Sequence, residues 1–230
     1  MELISGVHAI DLGMVYAYLY QAAGRLTLFD AGLGTHSQRI LDEVAALGRR
    51  PEDLRQIVVS HYHADHAGSL GELQERTTAQ VLAHRLDAPV IRGEQEALPP
   101  LLSEVERAFH ERITADVPPL QPALVDREVE DGDEIDVDGG AQVVHAPGHT
   151  PGSICLYLRH RKALFCGDAA ARMPDGALIV GAFNADPEQA RRSFRRLAEL
   201  DFEVACFGHG APLDKDACLE FRRIAEKLAR

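Results

Sequence analysis

The stretch Ser60-His61-Tyr62-His63-Ala64-Asp65-His66-Ala67-Gly68 constrains this chain more than any other. Three imidazoles and a carboxylate fall within it, directly after an apolar run. His61 and His63 are two residues apart at the end of a predicted strand, so in extended backbone their side chains share one face. Two neutral imidazoles on one face suit zinc, iron or another borderline metal. The stretch therefore predicts a metal site that is completed downstream, and the alternative is a polar loop rich in histidine.

Three later loops, each following a predicted strand, offer one further ligand each. His149 stands between two Pro/Gly pairs, Asp168 follows a glycine, and His209 lies between two glycines. The full set of candidate ligands is His61, His63, Asp65, His66, His149, Asp168 and His209. These donors are too many for one tetrahedral zinc, but they fit two metals that share a carboxylate, with water completing the coordination. The remaining histidines lack such a setting and are predicted to be surface or hydrogen-bonded residues: His8, His36, His84, His110, His145 and His160.

Length and charge set the class of protein. A chain of 230 residues is expected to form one domain over 1–230, with a substantial core. A formal net charge of −12 disfavours nucleic acid as a partner. No window is apolar enough for a membrane span, and the start lacks the basic and apolar regions of a secretory signal. The four scattered cysteines are expected to be free thiols, three of them buried, so the predicted compartment is the cytoplasm.

The pattern of apolar segments predicts two strand-rich halves, each closing with helices. This organisation favours a sheet packed on a sheet with helices outside. Residues 84–125 differ, because several prolines there bracket an amphipathic helix predicted over Leu101 to Ile113, with Leu102, Val105 and Phe109 on its apolar face. The segment is either a helical insertion that acts as a lid or an ordinary helical connection.

The successive motifs His-x-His-x-Asp-His, Pro-Gly-His-Thr-Pro-Gly-Ser, Gly-Asp and Gly-His-Gly resemble those of the metallo-β-lactamase-fold hydrolase superfamily. The resemblance runs from about residue 30 to residue 210. It implies an α+β fold, a four-layer αββα sandwich of two mixed sheets with the site at one edge. It also implies one metal on His61, His63 and His149, a second on Asp65, His66 and His209, and Asp168 bridging the two.

Departures from the patterns of individual branches narrow the expected function. Zinc β-lactamases typically lack an aspartate at position 168, so β-lactam hydrolysis is disfavoured. The lactonase tyrosine shortly after that aspartate is absent, as is the Gly-Arg-Thr-Asp string of persulfide dioxygenases. Glyoxalase II enzymes carry an extra helical region, whereas this sequence ends about twenty residues after His209. The motif set as a whole still resembles the glyoxalase II-like or lactonase-like branch, rather than the authentic β-lactamases.

The expected activity is hydrolysis of an ester, thioester or lactone by a metal-bound hydroxide. Two divalent metals, zinc first and manganese or iron as alternatives, are the expected cofactors. Asp65 is expected to bind metal and also to orient the nucleophile or carry a proton to the leaving group. The alternatives are a mononuclear iron persulfide dioxygenase, a phosphodiesterase or β-lactam hydrolase of the same superfamily, and a metal-binding domain without catalysis.

The expected partner is a small-molecule substrate, with no nucleic acid and no membrane. The residues that would contact it are not fixed by the motifs. Candidates are Tyr18, Tyr62 and Phe109, together with Met14 and Tyr16 from the early strands. An apolar pocket formed by them would suit an acyl chain, but each could equally belong to the core. The sequence does not indicate an oligomeric state, for which a homodimer is one option.

Overall fold

The computed structural model describes residues 1–137 and 139–228. Seven strands form the first sheet, and their spatial order follows their order in the chain. These strands are β1 (Glu2–Ile4), β2 (Val7–Asp11), β3 (Tyr16–Ala22), β4 (Arg25–Phe29), β5 (Leu54–Val58), β6 (Gln80–His84) and β7 (Arg127–Val129). Neighbours from β1 to β4 are antiparallel, whereas those from β4 to β7 are parallel. Parallel neighbours need crossover connections, and the helices of this half lie in those connections.

Five strands form the second sheet. They are β8 (Glu134–Ile135), β9 (Ala141–His145), β10 (Ile154–Leu158), β11 (Ala163–Phe165) and β14 (Val204–Cys206). The spatial order is β14-β11-β10-β9-β8, in which only β11 and β14 are parallel. A separate hairpin, β12 (Ala170–Arg172) with β13 (Leu178–Val180), follows β11. Each sheet therefore contains a parallel portion whose carboxyl ends lie at one edge.

Seven helices are described, and their lengths differ widely. They are α1 (Ser37–Ala46), α2 (Ala64–Ala67), α3 (Leu70–Arg76), α4 (Ala88–Ile91), α5 (Glu104–Thr114), α6 (Pro187–Leu197) and α7 (Ala217–Leu228), with 3-10 turns at Pro51–Asp53 and Arg159–Arg161. Asp186 caps α6 through its side chain, which accepts from the Gln189 backbone N–H, and Pro187 follows at the first helical position. None of the helices in the described part of the chain is long and apolar enough to cross a bilayer.

Three hydrophobic clusters separate the layers. One lies between the sheets, where Tyr18 and Val58 of the first sheet meet Leu156 and Phe165 of the second. Another packs the first sheet against α1 and α3, and a third packs the second sheet against α6 and α7. Because both faces of β3 and β10 are covered, their residues are buried on both sides of the strand. The α+β, four-layer αββα prediction is confirmed.

Several local features do not follow from the sequence pattern. Ser37 is the buried first residue of α1, and His36 precedes it without a side-chain cap. The short elements β1, α4 and the β12–β13 hairpin were not predicted, because three or four residues are too few to show a period.

Residues 85–126 connect β6 to its parallel neighbour β7 and contain α4 and α5. Helix α5 begins later than predicted because Ser103 and Glu106 form a capping box at its start. Its predicted apolar face does not enter the core: Val105 is 81% exposed and Phe109 46% exposed. The amphipathic pattern therefore identified the helix but not its partner. Among the cysteines, Cys155, Cys166 and Cys206 are buried free thiols and Cys218 is half-buried.

Candidate metal centre

All seven predicted ligands lie at one edge of the sandwich, just beyond strand ends. His61 and His63 follow β5, and Asp65 and His66 lie in the one-turn helix α2. On the second sheet, His149 follows β9, Asp168 follows β11 and His209 follows β14. The parallel pairing of β11 with β14 brings the Asp168 and His209 loops side by side. Strand ends far apart in the sequence thus deliver their donors to one place.

The donor atoms fall into three groups, each with one ligand atom per residue and all atoms within 4.8 Å of one another. The groups are His61, His63 and His149; His61, His66 and Asp168; and Asp65, His66 and His209. The structure brings every predicted ligand into at least one group. The two triads implied by the resemblance are both present, and a third group connects them.

Asp168 lies between the two outer triads. Its Oδ2 atom is 3.5 Å from His149 Nε2 and 3.3 Å from His209 Nε2, and its Oδ1 atom is 3.3 Å from His66 Nε2. Asp65 Oδ2 lies 3.3 Å from His209 Nε2. One carboxylate therefore faces imidazoles of both triads, as a shared ligand must.

Several polar atoms of this cluster are buried and have no hydrogen-bond partner. Among the described residues, these atoms include His61 Nε2, His66 Nε2 and Asp168 Oδ1. A buried polar atom without a partner costs about 1 to 3 kcal/mol. Three such atoms that converge on one point, together with further imidazoles and a second carboxylate, match the donor set preferred by divalent zinc, iron or manganese. The residues present fit the metals that the motifs imply.

A second layer of hydrogen bonds orients the imidazoles. Asp30, which follows β4, accepts at Oδ2 from His66 Nδ1 (2.9 Å) and from the Ser60 hydroxyl (2.8 Å), and at Oδ1 from the Ser60 N–H (2.7 Å). Ser60 Oγ lies 2.9 Å from His61 Nδ1. Because the carboxylate can only accept, the Ser60 hydrogen points to Asp30, and both histidines carry their proton on Nδ1. Their Nε2 lone pairs are thereby directed to the centre.

Backbone carbonyls fix two more ligands in the same tautomer. His149 Nδ1 donates to the Ala182 carbonyl (3.0 Å), and His209 Nδ1 donates to the Met14 carbonyl (2.7 Å). His63 differs, because its Nδ1 atom faces His149 Nε2 at 2.9 Å. Four of the five imidazoles thus present Nε2 to the centre.

Asp87 ties the two principal ligand loops together. Its carboxylate is buried and accepts from the Tyr62 N–H (3.2 Å), the Thr150 hydroxyl (2.7 Å) and the Gly152 N–H (2.7 Å). Burial raises the pKa of Asp87 to about 6, although these hydrogen bonds oppose the shift. The loops that carry His63 and His149 are therefore held by one shared acceptor.

The pKa shifts divide the cluster into two parts, one with neutral imidazoles and one with charged carboxylates. Burial lowers the pKa of His63 to about 3 and that of His61 well below its usual value, so both are neutral at pH 7, as metal ligands must be. Burial also opposes the charged form of His66, yet Asp168, Asp65 and Asp30 outweigh it and raise its pKa to about 9. Burial raises the pKa of the Asp168 carboxyl, but the neighbouring imidazoles, His209 first, hold it well below its usual range. This half of the cluster attracts positive charge.

The substrate-binding candidates have different surroundings. The structure does not support Tyr18 as a residue that contacts the substrate. Its side chain is buried between the sheets, donates to the Phe207 carbonyl and packs against Phe165, so it belongs to the core. The ring of Tyr62 borders a cavity beside His63. Phe109 lies on α5 with its ring 6.1 Å from that of Phe183.

Of the other two candidates, Met14 is half exposed and supplies the carbonyl that orients His209. Tyr16 stacks on Tyr18 and its hydroxyl lies 3.4 Å from Asp11.

Sequence reasoning missed the supporting residues Asp30, Ser60 and Asp87. Asp30 ends an apolar run, as the predicted ligands do, and the parallel pairing of β4 with β5 places it beside His61. Its position directly after an apolar run could therefore have identified Asp30 from the sequence. Asp87 offered no comparable pattern, because it contacts Thr150 and Gly152 only through the tertiary fold.

The fold and the donor set together define a metal-dependent hydrolase. Residues 10–209 match the family model described as the metallo-beta-lactamase superfamily, and the chain belongs to that family. A probable metallo-hydrolase, YflN of Bacillus subtilis, is 26% identical over 99% of this chain and 93% of its own length. The metallo-beta-lactamase of Cronobacter sakazakii with a HARLDQ motif is similar in fold, with a TM-score of 0.75, 23% identity, and coverage of 100% of this chain and 90% of that one.

Two further relatives carry names of defined activity. The acyl-coenzyme A thioesterase MBLAC2 of Gallus gallus is 34% identical over 80% of this chain. The hydroxyacylglutathione hydrolase of Ruegeria pomeroyi is 30% identical over 84% of this chain. This chain spans 66% of the first of these two relatives and 62% of the second.

Proposed function

We propose that this chain is a hydrolase that holds two divalent metal ions, zinc in the first instance, and cleaves an ester, thioester or lactone. One observation carries the proposal: the Asp168 carboxylate lies within 3.5 Å of imidazoles from both outer triads. A carboxylate that binds one ion needs to face only one triad, so this position supports a ligand shared by two ions. In this proposal His61, His63 and His149 hold one ion, Asp65, His66 and His209 hold the other, and Asp168 contacts both.

When bound, two such ions would supply a nucleophile at neutral pH by lowering the pKa of water and would polarise the substrate carbonyl. The net reaction adds water across the acyl C–S or C–O bond: the acyl carbon gains the oxygen, and the leaving sulfur or oxygen gains a proton.

The side chains contribute orientation and proton transfer. Asp65 is more exposed than Asp168, with 21% against 11% of its side chain accessible, and His209 beside it is 34% exposed. The open side of the centre is therefore lined by Asp65 and His209. In this proposal Asp65 orients the attacking group or carries a proton to the leaving group.

The named relatives support an acyl substrate. The name of one specifies acyl-coenzyme A as substrate and that of the other hydroxyacylglutathione, and both compounds are thioesters. The same chemistry serves oxygen esters and lactones, so the proposal names the acyl class rather than one compound. The β-lactamase likeness comes from structures of low identity and supports the fold alone.

The test combines metal analysis with a substrate panel. The purified protein should contain close to two metal ions per chain and should hydrolyse members of a panel of thioesters, esters and lactones. Asp168→Ala and His66→Ala should lower metal content towards one ion and abolish hydrolysis together, while Asp116→Ala, at an exposed carboxylate on the surface, should change neither. Full activity with one metal per chain overturns the dinuclear proposal. A single iron with oxygen consumption on a persulfide, or turnover of cephalosporins or phosphodiesters alone, overturns the acyl hydrolase.

A further inference from the structure

A cavity of about 360 Å³ opens directly beside His63. One side of it is formed by the metal-binding motif, through the ring of Tyr62 and by His63 itself. The connection between β6 and β7 contributes further lining residues, among them Val90, Ala97 and Leu120. The cavity therefore borders the metal centre at His63, and most of the rest of its lining comes from the part of the chain that the motifs do not explain.

The wall of this cavity is apolar. Among the described residues, its lining includes no Arg, Lys, Asp or Glu, and apart from Tyr62 and His63 its only polar side chain is that of Gln95. Thiol leaving groups of biological thioesters carry carboxylates or phosphates, which this lining cannot solvate or pair. An aliphatic acyl chain is the part of such a substrate that the lining suits.

The hydroxyl of Tyr62 holds one edge of the cavity in place. It donates to the Leu98 carbonyl and accepts from the Leu98 N–H, both at 3.2 Å. Ala97, which precedes Leu98, is therefore fixed opposite a motif residue that adjoins His63. A tyrosine within the metal-binding motif thus positions a segment that lines the cavity.

We propose that this cavity binds the aliphatic acyl chain of the substrate and makes the enzyme selective for chain length. The inference rests on the proposed acyl hydrolase function and adds a substrate class to it. A methylene is similar in size to a water molecule, whose liquid volume is about 30 Å³, so the cavity accommodates a chain of up to roughly ten carbons. Medium chains gain contacts along the cavity, and longer chains extend beyond it.

The experiment uses the metal-loaded protein and acyl thioesters of N-acetylcysteamine, which share one neutral leaving group. The acyl chains are acetyl, butanoyl, hexanoyl, octanoyl, decanoyl and tetradecanoyl, and kcat/KM is measured by thiol release. We expect kcat/KM to rise about three- to fourfold per methylene from acetyl towards octanoyl. Each added methylene that moves from water into the apolar cavity strengthens binding of the acyl chain by about that factor. We expect no further rise from decanoyl to tetradecanoyl.

The variant Ala97→Trp fills the cavity from an exposed position, so it does not disturb the core. It should lower kcat/KM for the octanoyl thioester by about tenfold or more and leave the acetyl thioester within about twofold, because the centre itself is untouched. Ala45→Trp, at an exposed position of α1 outside the cavity lining, is the matched control and should change neither. Circular dichroism and metal content confirm that both variants fold and load alike.

Binding of octanoate, measured by calorimetry on the same proteins, tests the cavity without turnover. Octanoate should bind the wild type and the Ala45→Trp variant, and its affinity for Ala97→Trp should fall by about tenfold or more. A flat chain-length profile, an equal loss for acetyl and octanoyl thioesters, or equal octanoate affinity in all three proteins overturns the inference. Absence of metal-dependent turnover for every thioester refutes the proposed function instead, and the octanoate comparison then decides the cavity on its own.

Discussion

The Nδ1 atom of His66 lies 2.9 Å from the Oδ2 atom of Asp30, and both side chains are buried. The same carboxylate accepts two hydrogen bonds from Ser60, whose hydroxyl contacts His61. One aspartate outside the metal-binding motif therefore sets the tautomer of two ligands, one from each outer triad. Asp30 itself has a left-handed backbone (φ 63°), a conformation that costs a non-glycine residue energy and that the surrounding hydrogen bonds maintain.

Asp30→Asn should weaken metal binding at both triads without removing a ligand. An amide nitrogen in place of one oxygen cannot accept from His66 or Ser60, so the imidazoles lose their orientation. Loss of such a supporting group typically lowers metal affinity by about 10- to 100-fold. Competition with a chromogenic chelator measures the affinity. Asp42→Asn, on the exposed side of α1, is the control, and equal affinity in the two variants would contradict the role of Asp30.

The ligands could be predicted from local patterns. His149, Asp168 and His209 each follow an apolar strand in a short loop with glycine or proline, and the other four cluster in one motif after an apolar strand. Asp30 also follows an apolar strand, but its role depends on which strands pair. Strand β4 pairs with β5, and the two are separated in the sequence by α1. Asp30 is a site residue that was not predicted, whereas Tyr18 is a core residue that was considered a candidate for substrate contact. Strand parity places it on the same face as Tyr16 and Tyr20, and that face meets the second sheet rather than the metal centre. Helix α5 was predicted from its period, yet a period identifies an apolar face without identifying what covers it.

Gly208→Ala should impair the metal centre by steric collision, without changing any ligand. A Cβ atom at this position would collide with Asp168 Oδ1 and with the ring of His66. We expect metal affinity to fall by about tenfold or more, because two ligands must move. The measurement is metal content after dialysis, together with hydrolysis of the acetyl thioester.

Gly71→Ala is the matched control for this substitution. Gly71 lies in α3, and the nearest atom to its added Cβ is the Pro122 carbonyl oxygen at 4.0 Å. Replacing a helical glycine by alanine stabilises a helix by about 1 kcal/mol at most, so the variant should fold at least as well as the wild type. Unchanged metal content in Gly208→Ala would show that the centre tolerates displacement of His66 and Asp168.

Asp87→Ala should destabilise the protein, although Asp87 is not one of the proposed metal ligands. Its carboxylate satisfies three donors, two of them in the loop that follows His149. In the variant the Tyr62 and Gly152 N–H groups become buried and unpaired, while the Thr150 hydroxyl keeps only its contact with Ser153 Oγ. We expect a loss of about 3 kcal/mol in the free energy of unfolding, measured in urea. Asp116→Ala, at an exposed carboxylate, should stay within about 0.5 kcal/mol of the wild type. A similar small change in Asp87→Ala would show that water replaces the carboxylate.

His84 should make the stability of the fold depend on pH. Its ring is buried and stacks on that of His145, with centroids 4.1 Å apart. Burial, followed by His145 and Arg85, lowers its pKa to about 4 against the opposing charges of Asp131 and Asp133. Between pH 6.5 and pH 4 the unfolded state therefore binds more protons at this residue than the folded state, and stability falls as the pH is lowered through that window.

The variant His84→Asn isolates this contribution, because an asparagine oxygen can still accept from the Leu86 N–H that now donates to His84 Nδ1. Urea unfolding of both proteins at pH 7, 6, 5 and 4 gives the difference in free energy of unfolding, in which the protonation of other groups largely cancels. We expect the wild type to lose about 1 to 3 kcal/mol more than the variant between pH 7 and pH 4. Parallel pH profiles would mean that the folded protein accommodates a charged imidazole beside His145.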